Sequence, residues 1–119
     1  MIDRLDPKIR DLVMGLQRIG IRTELSCQGH FKRGFPYPWV DSDLRDWPKL
    51  FKVVAWYNLQ VHDRRTRSKV VWVIMPRPFF KLVRLMPDVR NFSLRELQRS
   101  AVEFGRMLRK LRGVPELKW

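Results

Sequence analysis

The stretch DPKIRDLVMGLQRIGIRTELSCQGH, residues 6–30, decides the fold. Asp6 is placed to cap a helix, Pro7 suits a first helical position, and Ile9, Leu12, Val13, Leu16 and Ile19 recur at helical spacing. Gly20 is a C-terminal stop, and the apolar run 21–27 reads as a buried strand. So short a connection forces helix and strand to pack antiparallel, with the turn Ser26-Cys27-Gln28-Gly29-His30 at the far end of the strand. Gly29 can take a positive φ there, and it releases a thiol and an imidazole from the strand end, as a site requires and a core does not.

Outward from this unit, Trp39 and Val40 start a second short strand ending at Asp41, after a loop rich in Gly, Pro and aromatics. Asp46 looks like the cap of a helix over about residues 47–59, with Pro48 in its first turn and Leu50, Phe51, Val54 and Tyr57 on its apolar face. Residues 62–69, HDRRTRSK, form a polar connection, and 70–75 is the clearest strand, ended by Pro76-Arg77-Pro78. Residues 79–86 fit a short buried helix better than an alternating strand. Ser93 and Glu96 form a capping box for a last helix lined by Leu94, Leu97, Ala101, Phe104, Leu108 and Leu111, with Gly113 and Pro115 ending it. The expected architecture is α+β: a single two-layer domain over residues 1–119, with a three- to four-stranded sheet packed against about three helices.

At this length the chain buries roughly two-thirds of its unfolded surface. A hydrophobic fraction of 45% with five Trp and seven Phe specifies a packed core despite the charge. One cysteine excludes an internal disulfide and fits a reducing, cytoplasmic compartment. The first residues lack the apolar region of a secretory signal, and no apolar run approaches the roughly 18 residues of a membrane span.

The net charge is +13, from 25 Lys+Arg against 12 Asp+Glu, and residues 60–119 hold fifteen of those cations against five acids. An excess confined to one half points to a single polyanion-facing surface. Arg64, Arg65, Arg67 and Lys69 cluster in the polar connection, and Arg95, Arg99 and Arg106 share a solvent face of the last helix. Basic residues in a last helical turn also favour the helix dipole, which accounts for Arg109, Lys110 and Arg112 but not for that stripe. Phe35 and Tyr37 beside Lys32 and Arg33 pair π-faces with positive charge, the combination that stacks unpaired bases, with Trp39 the most structural of the group. The expected partner is nucleic acid, RNA ahead of DNA, with no membrane.

Cys27 and His30 are spaced as Cys-x-x-His, but a structural zinc site needs four ligands and there is no second such pair. His62, Asp41 or Asp63 would complete a site only by tertiary convergence, so no metal is expected. Ser26, Cys27 and His30 are the candidate catalytic residues, His30 lowering the thiol's pKa when charged. As a binding element the same turn holds an anion or a polar small molecule. No cofactor is specified.

Asp6, Lys8, Ile9, Asp11, Leu12, Val13, Ser26, Cys27, Gly29 and His30 carry a resemblance to two groups. One is a set of small uncharacterised bacterial and phage proteins with a Cys-x-Gly-His turn after an N-terminal helix. The other, more distant, is the tRNA wybutosine-synthesising methyltransferase family, whose N-terminal region carries Thr-x-Ser-Ser-Cys-Ser-Gly-Arg. His30 stands where that family has Arg, which removes a permanent charge. The second resemblance implies S-adenosylmethionine binding and an enzyme acting on nucleic acid. A further alternative is a phage or mobile-element regulator whose basic face binds an acidic host protein.

Overall fold

A computed structural model describes residues 6–30 and 35–117. The chain runs α1 (Pro7–Arg18), β1 (Thr23–Cys27), β2 (Trp39–Asp43), α2 (Trp47–His62), β3 (Trp72–Arg77), β4 (Leu82–Pro87) and α3 (Leu94–Leu108). The four strands form one antiparallel sheet in the order β1-β2-β4-β3, with the helices packed on one face as a small α+β domain.

The helix–glycine–strand unit forms as its sequence dictates. Gly20 takes φ +91°, its N–H reaches the Gln17 carbonyl, and the Ile21 N–H reaches the Leu16 carbonyl at 3.0 Å. This Schellman closure satisfies the last turn of α1 and drops the fully buried Ile21 into the core before β1 begins. Ser93 and Glu96 close their reciprocal capping box on α3, as expected.

Other expectations are overturned. Strand β1 is an edge strand with Leu25 59% exposed, so it is not buried as its apolar run suggests. Pro76 does not end β3, which continues to Arg77. As the opposite edge strand, β3 tolerates a residue with no N–H to donate. Residues 79–86 are not a helix. Phe79 and Phe80 belong to a short 3-10 turn with Phe79 90% exposed, and β4 follows as an interior strand. Val83 and Leu85 point into the core and Arg84 between them lies on the other face. Phe51 is exposed on α2, where Val53 takes the expected core position.

The core that fixes α3 is aromatic. Tyr57 stacks on Phe104 with ring centroids 4.1 Å apart, and Trp72 meets Phe104 edge-on. The Trp72 indole N–H donates to the Ser100 hydroxyl at 2.9 Å, and the Tyr57 hydroxyl lies 3.4 Å from the same oxygen. Burial pushes the Tyr57 phenol up to about 12, so it stays neutral. On the opposite sheet face, Arg84 forks onto its cross-strand partner Asp41 at 2.7 and 3.0 Å beneath Trp39 and Phe35, and Arg77 adds a third bond. That ion pair, with Asp41 at 0% and Arg84 at 7% exposure, locks the two central strands together.

Candidate functional site

The two basic clusters, some thirty residues apart in sequence, meet in space. Arg65, Arg67 and Lys69 form one wall of a groove of about 1640 Å³, and Arg95, Arg99 and Arg106 on α3 form the other. Lys8 and Lys110 extend the cationic lining, against only Glu96 and Glu103. Trp56 and Phe92, half-buried against the core, contribute aromatic surface.

Local chemistry shapes the loop wall. The Glu103 carboxylate accepts the Arg67 N–H at 2.8 Å and the Ser68 N–H at 3.0 Å, clipping the loop to α3. Helix α2 ends in a second Schellman closure, in which the Arg64 N–H donates to the Val61 carbonyl and the Arg65 N–H to Gln60. The left-handed position is Arg64, φ +58°, where glycine is the low-cost residue. Arg64 lines an adjoining hollow shared with Arg67 and Lys69, so a strained backbone position carries a cation beside the groove.

Many arginines outside the groove are paired with aspartates, whereas most of the groove's cations are not. Arg22, Arg45, Arg77, Arg84, Arg90 and Arg109 each contact an aspartate within 3.2 Å. Asp46, expected to cap α2, makes no side-chain cap. Its carboxylate takes the Arg22 N–H and guanidinium, which hold it below the usual carboxylate range. Among the described residues, Arg65, Arg67, Lys69, Arg95 and Arg99 have no carboxylate within ion-pair distance, and Arg106 reaches Asp11 only at 3.8 Å.

The aromatic loop is not part of this groove. Phe35, 45% exposed, and Trp39 roof Arg84 on the open sheet face, and Tyr37 packs against the core. Lys32 and Arg33 lie outside the described residues.

The Cys-Gln-Gly-His turn abuts one end of the groove through Gln28, whose side-chain carbonyl accepts the Lys8 N–H and whose backbone carbonyl accepts the Gln98 amide. Gly29 takes φ +90°, and a Cβ there would lie 2.7 Å from the Tyr37 carbonyl carbon and 2.8 Å from Leu94 Cδ1. Only glycine fits. Ser26 pairs with Val40 and Cys27 with Trp39, so alternation sends their side chains to opposite sides of the strand. The third group beside Cys27 and His30 is instead Asp6, whose local sequence reads as a helix cap. Of the expected third ligands, Asp41 is consumed by Arg84, and His62 lies beside Arg64 at the end of α2.

Fold and groove together define a small α+β domain that carries a basic groove. No protein-family model, curated protein or solved structure matches the chain. No helix among the described residues is long and apolar enough to cross a membrane.

Proposed function

We propose that the chain is a nucleic-acid-binding protein that takes the backbone of structured RNA in the groove between the 63–69 loop and α3. The observation that carries this reading is the convergence in one groove of five cations, Arg65, Arg67, Lys69, Arg95 and Arg99, that make no ion pair among the described residues, whereas six arginines elsewhere each contact an aspartate. An unneutralised guanidinium array suits phosphates, because each contact releases condensed counterions. Trp56 and Phe92 offer faces on which unpaired bases stack, which suits a structured RNA with single-stranded loops over a plain duplex. The Gln28 contacts make the Cys-Gln-Gly-His turn the polar end of the same surface.

Fluorescence anisotropy of nuclease-treated protein with a structured RNA, across a salt series, tests the proposal. Six phosphate contacts give a log–log slope of about −4 to −5, with binding that survives near 0.15 M salt, roughly the physiological value. Micromolar binding at low salt that vanishes at physiological salt would overturn it and favour an acidic protein partner.

A further inference from the structure

We infer that Asp6, Cys27 and His30 form a binding site for a divalent transition metal, with zinc the best-matched ion. A carboxylate oxygen, the Sγ and an imidazole nitrogen of these residues all lie within 4.8 Å of one another, and all three residues are half-buried. Ligands of a tetrahedral zinc stand about 3.3–3.8 Å apart, given bonds of about 2.0–2.3 Å, so rotations of about 1 Å complete the geometry. One sulfur, one nitrogen and one carboxylate oxygen make a donor set for zinc rather than for the all-oxygen ions calcium and magnesium. Three protein ligands leave a fourth position open to water or a ligand atom.

The surroundings are arranged for this use. Asp6 precedes α1 and its backbone carbonyl accepts the Ile9 and Arg10 N–H groups, yet its carboxylate makes no cap bond. It turns instead towards the Cys-Gln-Gly-His turn, where Oδ2 lies 3.4 Å from the Gln28 N–H. The Gly29 N–H donates to Cys27 Sγ at 3.4 Å, which orients the sulfur within the turn. Gln98 on α3 holds the Gln28 carbonyl from behind and fixes the turn. Thiolate and carboxylate together neutralise a divalent ion, with one proton released from Cys27 as the metal–sulfur bond forms. The metal would tie the start of α1 to the end of β1, which links its binding to stability. None of this rests on the nucleic-acid reading.

Cobalt(II) titration of tag-free, chelator-treated full-length protein tests the site. One equivalent should produce a thiolate-to-cobalt charge-transfer band and the visible bands of a four-coordinate ion. Cys27→Ser should abolish the charge-transfer band, and Asp6→Asn and His30→Gln should each weaken binding by roughly tenfold or more. Zinc should raise the melting temperature of the wild type and leave that of Cys27→Ser unchanged, the two proteins melting alike in chelator. Absence of the charge-transfer band at one equivalent, or equal zinc stabilisation of wild type and Cys27→Ser, would overturn the inference. If Cys27→Ser melts differently in chelator, Asp6→Asn decides: a wild-type cobalt affinity in that variant removes the site.

Discussion

The triple variant Arg95→Gln/Arg99→Gln/Arg106→Gln is expected to bind structured RNA roughly 100-fold more weakly than the wild type at moderate salt. The three guanidinium groups occupy the outer face of α3 and form one wall of the groove. An exposed guanidinium–phosphate contact is worth about 1 kcal/mol, so losing three costs about 3 kcal/mol of binding. The salt slope should fall by about 2 to 3 as well, since each lost contact releases one fewer counterion. Glutamine keeps nearly the same helix propensity, and exposed substitutions of this kind change stability by less than about 0.5 kcal/mol each. A matched double variant away from the groove, Lys52→Gln/Lys81→Gln, should change affinity little. Anisotropy titrations on the three proteins provide the check. A triple variant that binds like the wild type would remove α3 from the interface.

The substitution Gly105→Ala should be the most damaging small change in the core. Helices α1 and α3 cross with Gly15 and Gly105 at the point of closest approach. A Cβ at 105 would collide with the backbone of Asp11 and Leu12, and one at 15 would come within 2.8 Å of the Leu108 Cβ. Backbone cannot swing aside as the end of a side chain can. The helices must separate, loosening the fully buried Leu12, Leu16, Ala101 and Leu108 around the crossing. Alanine gains about 1 kcal/mol of helix propensity, but overpacking of this severity costs about 3 kcal/mol or more. The net loss of about 2 kcal/mol or more corresponds to a fall in melting temperature of roughly 10 °C, read by circular dichroism. An unchanged or raised melting temperature would contradict the close crossing.

What the sequence reveals depends on how local the determining interaction is. The α1–Gly20 closure and the Ser93–Glu96 box are complete within a few residues, and both form where their chemistry marks them. Strand β4 is different. Its pattern of Val83, Arg84 and Leu85 is strand-like only once Arg84 is known to have Asp41 opposite, 43 residues away. Pro76 argues against a strand until the sheet order makes β3 an edge. The apolar run before Cys27 indicates a strand but not its place at the sheet margin, where Leu25 stays exposed. The same distinction governs the candidate sites. Each basic cluster is visible by itself, but their union depends on Glu103 gripping the 67–68 backbone. Cys27 and His30 stand out as a turn pair, whereas Asp6 reaches them only through the antiparallel return of β1 along α1. An aspartate before a proline reads first as a cap, and nothing local shows that its carboxylate turns elsewhere. The aromatic loop illustrates the converse: beside basic residues Phe35 and Tyr37 suggest base stacking, and only the fold shows that Phe35 and Trp39 cover an arginine of their own sheet.

The most direct measurement is an amide footprint. A ¹⁵N-labelled sample is titrated with a short structured RNA near 0.15 M salt, roughly the physiological value, so that only close or poorly screened contacts persist. Binding in the groove predicts that shifts concentrate at residues 65–69 and along the outer face of α3. The Arg67 and Ser68 amides held by Glu103 should be among the strongest reporters. Shifts confined to the open sheet face around Val73, Met75 and Arg84, or no shifts at all, would contradict a groove that binds nucleic acid.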